Sequence, residues 1–201
     1  MAVQLKVAEP GPEPLDTDVE ALGALDRGDR RGALTILMRG YGDAVFQFCR
    51  RTLRDPALAE DVHQQVFIQA HEDLAGFSRR SSLRTWLFGI AHHRCLDAAK
   101  GKRRFLARFA STSDAQVPEV EDPADLPEVS LVRGTLARGL AHCLSLLAPA
   151  ARTAVTLRYS DGFSYEQMSS ICGEKPGTLQ ARVARAMPVL KKCLEQGGLT
   201  P

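Results

Sequence analysis

An acidic, proline-containing segment in the second half of the chain limits what this sequence can fold into. Residues 111–130, STSDAQVPEVEDPADLPEVS, contain six acidic residues, three prolines, no basic residue and no aromatic residue. Such a segment has too little apolar surface to form a core, and its prolines interrupt regular hydrogen bonding. We therefore expect a flexible acidic linker over residues 105–130 that divides the 201-residue chain into two small domains.

The two blocks that flank this segment have the opposite charge. Residues 17–104 carry fifteen basic and eleven acidic residues, and residues 131–201 carry nine basic and four acidic ones. The net charge of +2 for the whole chain conceals this segregation. Basic blocks favour polyanionic partners such as nucleic acid. We expect domains at 17–104 and 131–196, a disordered tail at 1–16 and a short tail at 197–201.

Both basic blocks are predicted to be helical. Their apolar residues recur at three- and four-residue spacing, and no stretch alternates for long enough to indicate a strand. Asp55 and Pro56 predict the start of one helix, because Asp caps free N–H groups and Pro suits a first turn. Gly28, the stretch Gly40-Tyr41-Gly42 and Gly101 are expected to break or end helices. The predicted fold class is all-α, with two small helical domains joined by the acidic linker.

Several classes of protein find no support in the sequence. No window of 18 apolar residues predicts a transmembrane helix, and the N-terminus lacks the pattern of a signal peptide. The five cysteines are widely spaced without a C-x-x-C pair, which favours reduced intracellular thiols. There is no nucleophile–base pair and no glycine-rich phosphate loop. We expect a cytoplasmic protein that is not an enzyme and that uses no cofactor and no small-molecule substrate.

The stretch GIAHHRCLDAAKGKRR, residues 89–104, admits three interpretations. His92 and Cys95 could touch one metal ion, but a closed zinc site needs two more ligands and none stands at ligand spacing nearby. Trp86, His93 and Lys100 are spaced seven apart and so share one edge of a helix. Such an edge can stack on unpaired bases and pair with phosphate. The third interpretation is a core helix with a solvated basic end.

The segment DGFSYEQMSSICGEKPGTLQARVARAM, residues 161–187, has the pattern of a helix-turn-helix. Ser164 can cap a short helix, Gly173 permits a tight turn and Pro176 can start a second helix. One side of that second helix is predicted to be apolar, and the other can contact bases and phosphates in a major groove. A packed helical hairpin with no DNA role is the alternative. The predicted outer side carries Thr178, Gln180, Ala181, Arg182 and Arg185.

Taken together, these motifs resemble those of extracytoplasmic-function (ECF) sigma factors, the two-domain promoter-recognition subunits of bacterial RNA polymerase. The segment at 55–104, DPALAEDVHQQVF through KGKRR, is similar to the second sigma region of the family. The segment at 144–187, LSLLAPAARTAV through ARAM, is similar to its fourth region. The order of these segments, their spacing and the acidic linker between them agree with the family.

The resemblance implies a sigma region 2 domain that binds core polymerase and opens the −10 element, and a sigma region 4 domain that binds the −35 element. It also implies an anti-sigma partner, which in this family is often anchored in the membrane. The −35 contacts it implies are the five outer residues of the second helix. The polymerase contacts it implies are Asp61, Gln64, Gln65 and Phe67. The −10 contacts it implies are Arg79, Arg80, Ser82, Arg84, Trp86, His93 and Lys100.

The sequence also departs from the family pattern. The family often has Glu at Gln65, commonly has Asn at His93, and usually has a basic residue at Gln180. It has an apolar residue at Glu174, and Pro188 is expected to interrupt a helix that usually continues. These departures prevent a transfer of promoter sequence from the family.

Two other functions are compatible with parts of the sequence. A stand-alone helix-turn-helix regulator would account for residues 161–187, but not for the helix that carries Trp86 or for the acidic linker. A metal or redox sensor would use the His and Cys residues.

Overall fold

A computed structural model describes residues 16–110 and 131–198 of the chain. Within those ranges all regular structure is helical, which confirms the all-α fold class. The helices fall into two compact units, which are described one at a time below. The predictions for residues 1–15, for the linker at 111–130 and for residues 199–201 lie outside the described residues.

The N-terminal unit consists of four helices. The caps of the second and third helices are those that the sequence suggests, because Asp29 accepts from the Gly32 N–H at 2.8 Å and Asp55 from the Leu58 N–H at 3.1 Å. A 3₁₀ turn at Leu74–Gly76 follows the third helix. The helices are α1 (Asp16–Asp26), α2 (Arg30–Leu53), α3 (Pro56–Asp73) and α4 (Leu83–Ala110).

The core of this unit lies where α2, α3 and α4 meet. Leu37, Phe48, Val66, Leu87 and Phe88 are fully buried there. The rings of Phe48 on α2 and Phe88 on α4 pack with their centroids 5.5 Å apart. This contact holds the first half of α4 against α2.

The glycines in α2 do not break it. Gly28, with φ +78°, does separate α1 from α2, but α2 continues through Gly40 and Gly42. A Cβ added at Gly40 would lie 3.0 Å from the Cβ of Thr17 on α1, and closer still to the tip of that side chain. Gly40 therefore serves the close approach of two helices, and the prediction of a break at 40–42 is wrong.

Helix α4 also continues past Gly101, where the sequence predicted its end. Lys102 donates to Asp55, the N-cap of α3, with an Nζ–Oδ2 distance of 2.9 Å. This hydrogen bond, together with the Leu58 N–H, lowers the pKa of Asp55. A contact on the far side of the glycine thus ties α4 to α3, and the first six residues of the predicted linker are helical.

The C-terminal unit is built from four further helices. One of them, the second, runs directly into a π-helical turn at Thr156–Ser160. No helix of the described ranges is long and apolar enough to cross a bilayer. The helices are α5 (Leu131–Ser145), α6 (Pro149–Val155), α7 (Tyr165–Cys172) and α8 (Pro176–Gln196).

Pro188 does not interrupt α8, contrary to the expectation from sequence. The residue is exposed, and the helix continues for two more turns to Gln196. Ala186 before it and Leu190 after it belong to one buried cluster, which includes Cys143 and Leu147. Packing on both sides of the proline compensates for the backbone hydrogen bond that its missing N–H removes.

A disulfide joins the two ends of this cluster. Cys143 on α5 and Cys193 on α8 are bonded, with their Cα atoms 5.7 Å apart. The expectation that all cysteines are reduced is therefore wrong for this pair, while Cys49, Cys95 and Cys172 are not part of a disulfide. A hydrogen bond to Cys49 and burial raise the pKa of the Cys95 thiol, which keeps it protonated and unreactive.

We expect reduction of the disulfide to destabilise the C-terminal unit by about 2–4 kcal/mol, because the bridge closes a loop of 50 residues. Hydrogen exchange of α5 and α8 peptides, with and without reductant, measures this effect. The double variant Cys143→Ala/Cys193→Ala should no longer respond to reductant, whereas Cys172→Ala should respond like the wild type. Equal protection of oxidised and reduced protein would contradict the prediction.

Candidate nucleic-acid and polymerase interfaces

The start of α4 is fixed by a buried carboxylate on another helix. Asp18 of α1 is only 2% exposed. Its Oδ1 accepts from the Tyr41 hydroxyl at 2.6 Å, and its Oδ2 accepts from the Leu83 N–H at 2.9 Å. Burial and the hydrogen bond to Asp18 raise the pKa of Tyr41, so this donor stays protonated. One side chain thus links α1, α2 and the first residue of α4.

Ser82 provides a second cap at the same helix end. Its Oγ accepts from the Thr85 N–H at 3.0 Å and donates to the Thr85 hydroxyl at 2.9 Å. Its one hydroxyl proton is therefore directed into the cap. The structure gives Ser82 a role in starting α4, and its hydroxyl could donate to a phosphate only in place of the bond to the Thr85 hydroxyl.

The loop before α4 carries two arginines with different partners. Arg79 has φ +57°, in the left-handed region, and its guanidinium is paired with Asp26 at the end of α1. Arg80 donates to the Ser78 hydroxyl at 3.2 Å. Both arginines are exposed. An exposed ion pair such as that of Arg79 contributes little to stability, so DNA phosphate can compete with Asp26 for this guanidinium.

The three residues predicted to share one edge of α4 differ in their exposure. Trp86 is half-buried and packs on Phe77, with ring centroids 5.4 Å apart, whereas His93 and Lys100 are exposed. His93 contacts the Gly89 carbonyl through Nδ1 at 2.8 Å. Since a carbonyl only accepts, this contact assigns the proton to Nδ1 and turns Nε2 outward as the atom that can meet a base.

The remaining polar residues of α4 differ in how they are placed relative to its exposed edge. Lys100 lies 3.3 Å from Asp97, one turn earlier on the same helix. Arg84 lies over the Phe88 ring at 5.5 Å. His92 is buried and so lies off the exposed edge. In the ranges that the structure describes, no three His, Cys, Asp or Glu side chains are placed to hold one metal ion.

The exposed face of α3 carries three of the four predicted polymerase contacts. Asp61, Gln64 and Gln65 are all exposed. Phe67 is only 6% exposed and packs edge-on against His63, with centroids 5.2 Å apart, so it lies on the buried side of α3. The next residue, Ile68, is 60% exposed and was not among the predicted contacts. Its spacing of three and four residues from Gln65 and Gln64 places it on the same face of α3.

The helix-turn-helix forms as the sequence predicts. Ser164 and Gln167 form a reciprocal capping box, with distances of 3.2 Å and 2.8 Å, and Gly173 turns the chain at φ +69°. Leu179, Val183 and Ala186 of α8 are buried. On the outer side, the exposed residues are Thr178, Gln180, Ala181 and Arg185.

Arg182 differs from the other four predicted −35 contacts. Its Nη1 donates to Glu174 Oε1 at 2.6 Å and its Nη2 donates to Oε2 at 2.5 Å. Only 23% of its side chain is exposed. Arg185 is exposed and donates from Nε to the Ala181 carbonyl at 3.2 Å. The guanidinium of Arg182 is thus held against the turn, while that of Arg185 lies along the outer face.

Comparison with known proteins agrees with this architecture. The sigma-70 region 2 family matches residues 37–105, and the sigma-70 region 4 family matches residues 133–187. The RNA polymerase sigma-H factor of Pseudomonas aeruginosa is 29% identical over 188 residues, which cover 90% of this chain and 95% of that protein. The ECF RNA polymerase sigma factor SigK of Mycolicibacterium vanbaalenii is 28% identical over 153 residues, with coverages of 75% and 76%.

Solved structures give the same result. RpoE of Bartonella quintana, crystallised with the anti-sigma factor NepR, superposes with a TM-score of 0.65 and 25% identity, covering 79% of this chain and 94% of that one. CnrH in complex with the cytosolic domain of CnrY superposes with a TM-score of 0.61, covering 90% and 97%; at 22% identity it bears on the fold alone.

The two helical units and the two matched regions define a sigma factor of the sigma-70 type. More narrowly, the chain belongs to the ECF family of sigma factors. It is a promoter-recognising factor for transcription initiation that binds core RNA polymerase and promoter DNA. A stand-alone regulator or a metal or redox sensor is not favoured, since neither accounts for both regions.

The Asp18 cap yields a stability prediction. Asp18→Ala should lower the free energy of unfolding by about 2–5 kcal/mol, because it leaves the Tyr41 hydroxyl and the Leu83 N–H without their acceptor. Tyr41→Phe removes only one of the two bonds and should cost about 1–3 kcal/mol. Urea unfolding followed by the fluorescence of Trp86, the only tryptophan, measures both. An unchanged midpoint in Asp18→Ala would contradict the role of this cap.

Proposed function

We propose that this sigma factor engages its partners through three surfaces. The exposed face of α3, formed by Asp61, Gln64, Gln65 and Ile68, binds core polymerase. The loop at 76–82 and the exposed edge of α4 bind and open the −10 element, and the outer face of α8 binds the −35 element. The observation that carries the proposal is the α3 face, where a large apolar side chain stands exposed among polar ones on a helix whose other side is buried.

The α3 face has the composition of a protein interface. Ile68 supplies apolar area, and the two glutamines supply donors and acceptors that carry no net charge. Partner burial of an exposed isoleucine is favourable by about 1.5–3 kcal/mol. Charged residues are usually depleted at the centre of an interface, and Asp61, one turn earlier, fits a place at its rim.

Promoter opening is assigned to the edge of α4. Unstacking costs a few kcal/mol per base, and stacking on an aromatic side chain returns about 1–3 kcal/mol. Trp86 is half-buried against Phe77, and the exposed part of its ring can stack on a base. His93 adds an outward Nε2 that can accept from a base N–H. The α4 extension supplies further cations at Lys100, Lys102, Arg103 and Arg104 for salt-dependent phosphate contacts.

The cellular setting and a regulatory partner are further parts of the proposal. RpoE of Bartonella quintana was solved with an anti-sigma factor, and this chain is 25% identical to it. We infer that an anti-sigma factor holds this sigma factor as well, in the cytoplasm, where core polymerase is found. Its action is binding and not catalysis.

Ile68→Ala tests the docking face. We expect it to weaken core polymerase binding by tenfold or more, because about 0.8 kcal/mol is lost for each buried methylene. Val19→Ala is the matched control, since Val19 is a similar side chain, 58% exposed, on α1. Titration of labelled full-length chain with core polymerase measures both. Equal affinity for the two variants would place the interface elsewhere.

His93→Ala tests the opening step. Holoenzyme carrying this variant should form the closed complex but open less duplex promoter, and His93→Asn should retain opening. Permanganate reactivity of unpaired thymines measures the bubble. The defect should disappear on a template with a preformed bubble, since the unstacking cost is then already met. A defect of equal size on both templates would place His93 outside the opening step.

A further inference from the structure

The pair formed by Glu174 and Arg182 is the feature of the C-terminal unit that its helix-turn-helix role does not explain. Glu174 lies in the turn between α7 and α8, and Arg182 lies two turns into α8. They are eight residues apart, so this is not one of the i, i+4 pairs common on helix surfaces. Two parallel bonds of 2.6 Å and 2.5 Å join the fork of the guanidinium to both carboxylate oxygens. Such bidentate pairs are the strong and geometrically specific ones.

The position of Arg182 on α8 explains why this pairing matters. One stripe along α8 contains Thr178 and the residues three, four and seven positions after it, which are Ala181, Arg182 and Arg185. That stripe is the side that faces DNA when α8 is the recognition helix. The same Nη fork that binds a carboxylate is the one that binds the O6 and N7 atoms of guanine or a phosphate. While Glu174 occupies the fork, Arg182 cannot use it on DNA.

We propose that Glu174 is a specificity-determining residue that masks Arg182 in −35 recognition. The inference rests on the proposed role of α8 and adds to it. The carboxylate of Glu174 neutralises the positive charge of Arg182 and occupies the two Nη donors that could otherwise contact DNA. Base reading then depends on Thr178, Gln180 and Arg185. Glu174 acts through Arg182, so it is a positioning residue and not a base contact.

The pairing affects both the affinity for DNA and its dependence on salt, in a direction that can be predicted. An arginine paired with a carboxylate releases no counterion from DNA, whereas an unpaired one at a phosphate releases about 0.9 ion. Loss of the mask should therefore make binding tighter, more salt-dependent and less selective. An alternative role for the pair, in which Glu174 aims Arg182 at a base, predicts the reverse, because removing the carboxylate would then weaken specific binding.

The test uses holoenzyme reconstituted from core polymerase and the full chain. A promoter is first selected by the wild-type holoenzyme from a duplex library randomised at the −35 position. Binding to this promoter is then measured over a range of salt concentrations for wild type, Glu174→Gln, Arg182→Gln and the double variant. Glutamine preserves the shape of each side chain and removes the charge. Circular dichroism of each variant checks the fold.

We expect Glu174→Gln to bind about three- to tenfold more tightly near 0.1 M salt, with a salt slope steeper by about 0.9. Its discrimination among −35 sequences should fall. In the Arg182→Gln background the same change should have little effect, because nothing is left to unmask. Arg185→Gln is the matched control, and it should weaken binding and make the salt slope shallower, since Arg185 lies exposed on the outer face.

Three outcomes would overturn the inference. A similar gain from Glu174→Gln in both backgrounds would mean that the carboxylate acts by general repulsion of DNA. Weaker binding by Glu174→Gln would mean that it aims Arg182 at a base. No change in affinity, slope or selectivity would give the pair a structural role alone. In all three cases the wild-type holoenzyme still selects a promoter and the proposed function stands, whereas failure to select any promoter would overturn both.

Discussion

The Asp18 carboxylate is the contact on which the geometry of the N-terminal unit depends. It is buried, and its two oxygens receive donors from two other helices, the Tyr41 hydroxyl and the Leu83 N–H. Because one of these donors is the first backbone N–H of α4, the carboxylate determines where that helix begins. His93 is ten residues further on, about 15 Å along the axis. Small changes at the cap would therefore displace the exposed edge of α4 that we propose for promoter opening.

Local chemistry made much of this fold predictable. Helix starts at Asp55, Ser164 and Pro176 could be predicted because a cap or a first-turn proline acts within three or four residues. The predicted ends at Gly40 and Gly101 were wrong because contacts distant in sequence override weak local preferences. The side chain of Thr17 fills the space beside Gly40. The hydrogen bond between Lys102 and Asp55 holds α4 in place beyond Gly101. A glycine costs only about 1 kcal/mol in a helix, which one such contact can offset.

The sequence predicted which helices carry exposed polar faces, but not the exposure and the partner of each side chain on them. On α3 the exposed apolar side chain is Ile68 and not Phe67, and one residue corresponds to a rotation of about 100° around the helix. Helical spacing predicted Arg182 on the outer side of α8 but could not reveal its partner Glu174, eight residues earlier in a turn. The Cys143–Cys193 bond gave no signal at all, since 50 residues separate the two thiols and only the packing of α5 on α8 brings them together.

The two halves of helix α8 differ in exposure and in packing. Its first half, from Thr178 to Arg185, presents the outer stripe, and the helix-turn-helix contact beneath it rests on Leu179 and Val183. Its second half, beyond Pro188, carries the residues that pack on α5, including the disulfide. The first half can therefore keep exposed polar side chains without weakening the core. Because the second half supplies the packing, substitutions on the outer face of the first turns of α8 should cost little stability.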